Sequence, residues 1–201
     1  NKFLKPSVGF GGSCFQKDIL NLVYIAQSLG LHEVSEYWSQ VIKINNYQKE
    51  RFAKKIMSSL FNTVSAKKIT FLGWAFKKNT NDTRESAAIY VADLLIENGA
   101  EICVYDPKVN VYQMHSDLDH LNSRTSEENK KSLSCSSDAY KACENSHAVA
   151  IITEWDEFKE YDWQKIYSSL IKPAKIFDGR NILDKDKLES IGFEVYSIGK
   201  A

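Results

Sequence analysis

The segment Lys68-Ile-Thr-Phe-Leu72 marks the point at which the hydrophobic pattern of this chain changes. Before residue 66 the apolar residues recur at the spacing of a helix, and after it short apolar runs alternate with helical stretches. The other runs that predict strands are Glu101–Tyr105, residues 148–153, Lys175–Asp178 and Glu194–Ser197, and the clearest helix between them covers residues 85–97. This alternation predicts an α/β fold with a parallel sheet covered by helices on both faces.

Two helices are predicted before the sheet. Residues 16–29 carry apolar residues at helical spacing, and Gly30 stands where a C-cap is expected. From residue 33 the spacing continues, and no Pro or Gly follows until Gly73, so a single helix of about 30 residues is expected. Asn45 and Gln48 fall on or beside its apolar stripe, where an unpartnered amide is unfavourable. Either these amides are satisfied within the chain, or the helix pairs with a symmetry-related copy.

Residues 109–133 do not fit the alternation of strands and helices. They are polar, rich in Ser, Asn and Glu, and short of periodicity, so we predict an irregular, mobile insertion. The change of pattern also divides the chain into two predicted parts. Residues 1–66 contain a cysteine-bearing loop and the long helix, and residues 67–201 contain the sheet.

The cysteine segment, residues 5–18, reads Lys5-Pro-Ser-Val-Gly-Phe-Gly-Gly-Ser-Cys-Phe-Gln-Lys-Asp18. Its glycines let the backbone approach a ligand closely, so the loop is a candidate contact for a phosphate or a sugar. Cys14 is predicted at the start of a helix, where the backbone amides favour a thiolate, and Asp18 lies four residues later on the same helical face. The alternative is a small buried cysteine beside an ordinary turn.

Two polar loops follow predicted strands and bring positive charges to one edge of the sheet. Residues 73–84 contain Lys77, Lys78 and Arg84, and Arg180 follows the strand Lys175–Asp178. In a doubly wound sheet such loops meet in one crevice, and converging cations suit a diphosphate. The alternative is that these side chains are solvated surface residues. Asp82 or Thr83 is expected to cap the next helix.

The chain lacks the Gly-x-Gly-x-x-Gly fingerprint of dinucleotide-binding sheets, because Trp74 and Phe76 stand where the backbone would approach a pyrophosphate. Asp106, which follows the second predicted strand, is interpreted as part of a strand-ending turn with Pro107 rather than as a ribose ligand.

The composition narrows the partners and the compartment. Lys plus Arg and Asp plus Glu each number 26, so neither nucleic acid nor a membrane surface is expected as a partner. The four cysteines and four histidines show no ligand spacing, and no metal is expected. A reduced, cytoplasmic protein fits best. The cysteine segment follows Asn1 so closely that we expect an N-terminal portion to precede it in the whole protein.

Three motifs together resemble one enzyme family. Residues 7–18 are similar to the active-site motif of the UDP-glucose 6-dehydrogenases in their animal and plant form, and residues 71–86 and 177–180 are similar to two later motifs in the same order. The resemblance covers essentially the whole chain. It implies an oxidoreductase that uses NAD to convert UDP-glucose into UDP-glucuronate in two hydride transfers, here without its first NAD-binding domain and therefore inactive on its own.

The resemblance also implies roles for individual residues. Cys14 would be the nucleophile and Asp18 would orient or activate water. The substrate would be held by Lys5, Pro6, Ser7, Val8, Gly9, Phe10, Gly11, Phe76, Lys77 and Arg180, and the NAD site would be reached by Cys14, Phe15 and Arg84. The chain departs from the usual animal pattern at Asn79, where Asp is common, and at Asn81, where Gly is common and a positive φ is therefore expected.

The fold implied by the resemblance is a long helical dimerisation segment followed by a Rossmann-like UDP-binding domain. Such enzymes dimerise through the long helix and assemble into hexamers, and residues 59–63 resemble a region used in that assembly. Two other functions remain open from the sequence. The chain could act alone as a UDP-sugar-binding and oligomerisation module, or it could belong to a related dehydrogenase that acts on GDP-mannose or a UDP-N-acetyl-sugar.

Overall fold

The computed structural model describes residues 5–200; residues 1–4 and 201, the outermost positions of the two predicted parts, lie outside the described residues. Its helices are α1 (Phe15–Ser28), α2 (His32–Ser59), α3 (Ala87–Glu97), α4 (Val111–Asp119), α5 (Ser126–Ser132), α6 (Ala139–Cys143), α7 (Trp163–Ser169) and α8 (Lys185–Ile191). Its strands are β1 (Lys68–Leu72), β2 (Glu101–Tyr105), β3 (Leu133–Cys135), β4 (Ala148–Ile151), β5 (Lys175–Asp178) and β6 (Glu194–Ser197).

The strands described in residues 5–200 form one parallel sheet in the order β3-β2-β1-β4-β5-β6. This is the order of a doubly wound dinucleotide-binding sheet. The strand order reverses between β1 and β4, and such sheets bind ligands outside the carboxyl ends of the strands at this reversal point. The predicted α/β fold class is confirmed. β1, β2, β5 and β6 have the predicted bounds, and β4 ends two residues earlier than predicted.

The two helices that precede the sheet are also present. α2 is a single helix of 28 residues, and its Phe52, Ala53 and Ile56 are at most 2% exposed because they pack on the core of the sheet. Elsewhere the pair exposes many large apolar side chains, namely Leu20, Leu22, Tyr24, Ile25, Leu29, Leu31, Val34, Tyr37, Ile44 and Tyr47. None of the helices formed by residues 5–200 is long and apolar enough to span a bilayer.

The prediction of an irregular insertion at residues 109–133 is wrong, because this stretch forms α4 and α5 and leads directly into β3. Few apolar residues carry its burial: Met114 and Leu118, one helical turn apart, are both fully buried. The start of α5 is stabilised by a capping box in which Thr125 and Glu128 each accept a hydrogen bond from the other's backbone N–H. Caps and two core contacts thus replace the broad apolar stripe that periodicity detects.

Asp106 joins three loops at the carboxyl edge of the sheet. Its buried carboxylate accepts hydrogen bonds at 2.7–3.2 Å from the backbone N–H groups of Trp74, Ala75, Lys108 and Val109 and from the indole Nε1 of Trp155. The interpretation of Asp106 as part of a turn is confirmed. Its carboxylate also binds the loops after β1 and β4. Because both oxygens are used in this way, the carboxylate holds the loops around the reversal point together.

Replacing Asp106 by Asn is expected to lower the free energy of unfolding by about 2–4 kcal/mol, because the new NH₂ group would face N–H donors in a buried site. Urea denaturation of the two proteins measures the difference. The matched control is Asp138→Asn, since Asp138 is the exposed N-cap of α6 and Asn caps a helix as well as Asp does. Equal stabilities for both variants would contradict this role of Asp106.

Candidate active site

Cys14 lies at an open position at the start of α1. It is the N-cap residue of that helix, its thiol is exposed, and its carbonyl accepts the backbone N–H of Asp18 at 2.8 Å. Asp18 is exposed as well. The phenyl rings of Phe10 and Phe15 pack edge to face at 4.6 Å between centroids and brace the loop against the first turn of α1. The alternative of a small buried cysteine is therefore wrong.

The glycines of the cysteine segment bring it into contact with the β1–α3 loop, residues 73–86. A Cβ on Gly11 would lie 2.4 Å from the carbonyl oxygen of Glu85, and one on Gly12 would lie 2.9 Å from the ring of Phe76. The backbone N–H of Gly12 donates to the carbonyl of Arg84 at 2.8 Å. Gly11 and Gly12 thus let the backbone of the segment approach the β1–α3 loop, whereas the sequence had predicted an approach to a ligand.

The first half of the same segment contacts the loop that follows β5. Nη1 of Arg180 donates to Oγ of Ser7 at 2.5 Å. Val8 is 1% exposed and packs on Gly179, where a Cβ would lie 2.4 Å from Cγ2 of Val8. Lys5 and Pro6 are exposed at the start of the segment. The cysteine segment therefore touches both of the cationic loops identified in the sequence.

Carboxylates hold Arg180 in a defined orientation. Its guanidinium forms an ion pair with Glu154, which follows β4, and its backbone N–H donates to the buried carboxylate of Asp178 at 3.0 Å. Burial lowers the pKa of Arg180, and Glu154 opposes that shift. Burial also raises the pKa of Asp178, against several backbone hydrogen bonds that favour the charged form. The guanidinium is thus half-buried, paired on one side and directed at Ser7 on the other.

The cations of the β1–α3 loop differ in how they are paired. Nζ of Lys77 is exposed and lies 5.2 Å from the centroid of the Phe76 ring. Lys78 forms an ion pair with Asp156 at 2.5 Å. Arg84 binds Asp82 through Nε at 2.9 Å and Nη2 at 2.7 Å.

The pKa of Arg84 is raised, chiefly by its hydrogen bonds with Asp82, and Cys14 is close enough to contribute to the same shift. The exposed thiol and the exposed guanidinium are therefore electrostatic neighbours at the mouth of the site.

Residues 70–185 match the UDP-binding domain of the UDP-glucose/GDP-mannose dehydrogenase family, and residues 1–47 match the central domain of that family. The chain belongs to the UDP-glucose/GDP-mannose dehydrogenase family. The first match contains both cationic loops and the second contains the cysteine segment.

Members of the family from animals and plants are similar over all of this chain. The UDP-glucose 6-dehydrogenase of Drosophila melanogaster is 58% identical over 201 residues, which cover 42% of that protein. UDP-glucose 6-dehydrogenase 4 of Arabidopsis thaliana is 57% identical over 210 residues, which cover 44% of that protein. The chain thus spans less than half the length of the curated relatives it matches.

Two solved dehydrogenase structures contain the same fold. A UDP-glucose dehydrogenase from Pyrobaculum islandicum superposes with a TM-score of 0.69 at 29% identity, over 95% of this chain and 38% of that one. An NDP-N-acetyl-D-galactosaminuronic acid dehydrogenase from Methanosarcina mazei Go1 gives a TM-score of 0.77 at 22% identity, over 98% of this chain and 40% of that one. The second likeness is one of fold alone.

Two expectations for the family's β1–α3 loop need correction. Helix α3 is capped by Ser86, whose Oγ accepts from the N–H of Ala88, and not by Asp82 or Thr83. The left-handed residue among the two asparagines is Asn79, with a φ of 65°, whereas Asn81 is not among the residues of positive φ within 5–200. The substitution at the position where Gly is common therefore requires no unusual backbone conformation.

Several residues that shape the site of this family member had no predicted role in it. Asn45 on α2 is 3% exposed and binds the backbone of Phe10 through both atoms of its amide, so it is satisfied within the chain. Gln48 is only half-buried. Glu154 had no sequence signal, because its partner Arg180 is distant along the chain. An amide on an otherwise apolar stripe was the one available signal for Asn45.

Lys49, one turn after Asn45, is a buried cation. It is 3% exposed, its Nζ has no hydrogen-bond partner, and it lies 3.7 Å from the centroid of the Tyr90 ring. The hydroxyl of Tyr90 donates to the carboxylate of Glu85 at 2.6 Å. Burial lowers the pKa of Lys49 from 10.5 to about 8, and the negative charge of Glu85 opposes that shift.

Among residues 5–200, no group of three or more His, Cys, Asp and Glu side chains is arranged to hold a metal ion.

Lys49→Met is expected to raise the free energy of unfolding at pH 7 by about 1–3 kcal/mol, because it removes a buried ammonium while a thioether keeps contact with Tyr90. Between pH 8 and 10.5 the unfolded chain binds a proton at Lys49 that the folded chain lacks, so the stability of the unsubstituted protein rises with pH in this window. The variant should lose that slope.

Urea denaturation at pH 7, 8, 9 and 10 measures both effects. Lys43→Met, at an exposed position of the same helix, is the matched control and should change neither quantity. A Lys49→Met protein that is less stable at pH 7, or that keeps the slope, would contradict the assignment of a buried, destabilising charge.

Proposed function

We propose that this chain forms the cysteine and UDP-binding part of an NAD-dependent UDP-glucose 6-dehydrogenase, which oxidises UDP-glucose to UDP-glucuronate. One observation carries the proposal: the segment that ends in the exposed thiol of Cys14 is seated directly on the two cationic loops at the reversal point of the sheet. A nucleotide bound at those loops would present its sugar along the segment that leads to Cys14. The similarity to UDP-glucose 6-dehydrogenases over the whole chain supports the same substrate.

Binding of the nucleotide would depend on Phe76, Lys77 and Arg180. The exposed ammonium of Lys77 provides a mobile positive charge, and the guanidinium of Arg180 provides a fixed planar donor for phosphate oxygens. The segment from Lys5 to Gly11 would line the glucosyl and pyrophosphate groups. Because Glu154 already neutralises part of its charge, Arg180 would contribute direction more than net attraction.

The thiol would act in the second oxidation. Once the C6 alcohol has become an aldehyde, the Cys14 thiolate adds to its carbonyl carbon and forms a carbon–sulfur bond, which gives a thiohemiacetal. Loss of hydride from that carbon, together with loss of the proton from its hydroxyl oxygen, leaves a thioester. Water then attacks the thioester, the carbon–sulfur bond breaks, and the carboxylate and the free thiol are released. Asp18, exposed one turn beyond Cys14, would orient or deprotonate that water.

The residues at the mouth of the site fit one edge of an NAD molecule. Arg84 is an exposed cation near Cys14, which directly precedes Phe15, and this is a suitable arrangement for a dinucleotide whose main contacts come from another part of the enzyme. NAD supplies the hydride acceptor when bound. The position that would bind NAD in the sheet itself does not fit it, because the Asp106 carboxylate is saturated by protein donors. The 201-residue chain alone is therefore proposed to bind UDP-glucose without oxidising it.

The exposed apolar side chains of α1 and α2 support assembly through the long helix. Tyr24 on α1 and Tyr37 on α2 are each at least 68% exposed, and so is Leu29 at the C-cap of α1. An apolar surface of this kind is typical of a protein–protein interface. A homodimer through α2, hexamers of the whole enzyme and a cytoplasmic location remain part of the proposal.

Isothermal titration calorimetry of the chain with UDP-glucose tests substrate binding. Arg180→Lys is expected to weaken binding by about tenfold or more, because a lysine keeps the charge but loses the planar pair of donors. Arg51→Lys, at an exposed position of α2, is the matched control and should bind as the unsubstituted chain does. Absence of binding, or tighter binding of GDP-mannose or UDP-N-acetylglucosamine, would contradict UDP-glucose as the substrate.

Cys14→Ser tests the nucleophile in a polypeptide that joins this chain to an NAD-binding domain. UDP-glucuronate formation should fall by about 100-fold or more, with the reaction stopping at the aldehyde level, because serine is a much weaker nucleophile. NADH absorbance and chromatography of the nucleotide sugars measure the two steps. Cys135→Ser, at the other exposed cysteine of the described residues, should have normal activity. Normal turnover of Cys14→Ser would refute the assignment.

A further inference from the structure

Two polar side chains of α2 are buried against the cysteine segment. Oδ1 of Asn45 accepts the backbone N–H of Phe10 at 2.8 Å, and its Nδ2 donates to the carbonyl of the same residue at 3.0 Å. Both Asn45 and Lys49 are 3% exposed. A Cβ on Gly9 would lie 2.7 Å from Oδ1 of Asn45 and 3.3 Å from Cγ of Lys49, so Gly9 provides the space that this contact needs.

The contact at Phe10 differs from the others that hold the segment. Ser7 is held by a guanidinium that also belongs to the nucleotide site, and Gly12 is held by the backbone of a loop. Asn45 instead binds from a rigid helix and satisfies both the donor and the acceptor of one peptide residue, which fixes position and direction together. Phe10 lies midway between Ser7 and Cys14, at the part of the segment that would face the sugar.

We propose that Asn45 is a positioning residue that fixes the distance between the sugar-facing part of the cysteine segment and the two cationic loops. It does not touch the reacting atoms; it acts through the backbone of Phe10. The inference rests on the proposed function, since it divides the site into a nucleotide part held by the sheet and a sugar part held by α2. Loss of Asn45 therefore affects recognition of the sugar and leaves recognition of the nucleotide unchanged.

The test compares two ligands, UDP and UDP-glucose, by calorimetry on the chain. Asn45→Ala is expected to lower the affinity for UDP-glucose by about tenfold or more, because two hydrogen bonds are lost, and to change the affinity for UDP by less than about threefold. Asn46→Ala, at the exposed neighbouring asparagine, should change neither affinity. If Asn45 had only a structural role, Asn45→Ala would lower the affinities for UDP and UDP-glucose together. Equal losses for UDP and UDP-glucose, or no loss for either, would overturn the proposal.

A second variant separates the two hydrogen bonds. Asn45→Asp keeps an acceptor for the N–H of Phe10 but turns a carboxylate oxygen towards its carbonyl, so it should lose at least as much UDP-glucose affinity as Asn45→Ala and still keep its affinity for UDP. This variant also serves if Asn45→Ala does not fold. If neither variant folds, Asn45 belongs to the folding core rather than to the site, and the proposal is overturned.

A ligand-free measurement distinguishes failure of this inference from failure of the proposed function. Without any UDP-glucose binding the proposed function fails, yet the rate at which iodoacetamide alkylates Cys14 still reports the position of the segment. Peptide mass spectrometry gives that rate relative to Cys135, which is exposed in the same molecule. Asn45→Ala should change the ratio by about threefold or more and Asn46→Ala should not. An unchanged ratio would overturn the positioning role.

Discussion

Backbone contacts at positions without a side chain determine where the cysteine segment lies. A Cβ on Gly11, Gly73 or Gly179 would approach Glu85, Thr153 or Val8 to 2.3–2.4 Å, distances that no side chain tolerates. The first and third of these contacts seat the segment on the two cationic loops, and the second brings the ends of β1 and β4 together at the reversal point. Because packed backbone is rigid, the thiol is presented at a defined place and does not depend on a flexible loop to arrive there.

Much of the positive charge at the site is matched by carboxylates within the protein. Arg180 is paired with Glu154, Lys78 with Asp156 and Arg84 with Asp82, while Lys77 remains exposed above the Phe76 ring. Such pairs orient the cations before a ligand arrives, which lowers the ordering cost of binding. A diphosphate bound as proposed would therefore be recognised by the direction of fixed donors as much as by net attraction. Because the two charges of each pair cancel, the pairs add nothing to the formal net charge of the chain, which is zero.

The sheet was largely predictable from the sequence because its strands are short buried apolar runs separated by polar segments. The helices before β3 were missed because Met114 and Leu118 are their only buried apolar residues, although the Thr125 and Glu128 capping box was readable. β3 was missed because it is three residues long and buries only Leu133. The motif residues were recognisable in the sequence one by one, and their roles remain proposals. The partners of these residues were not recognisable, because Asn45 and Glu154 meet Phe10 and Arg180 only in the folded chain, across 35 residues in the first case. Which asparagine of the β1–α3 loop takes a positive φ likewise depends on tertiary packing.

The saturation of Asp106 bears on how this fold can be altered. In a dinucleotide-binding sheet the carboxylate after β2 accepts hydrogen bonds from the hydroxyl groups of a ribose. Here it accepts hydrogen bonds from five N–H groups of three loops instead. Freeing the carboxylate would loosen the junction that holds the β1–α3 loop, one of the two cationic loops, in place. Stepwise point substitution therefore cannot convert this sheet into a coenzyme carrier without passing through unstable intermediates, and a designer who wants that outcome must replace all three loops at once.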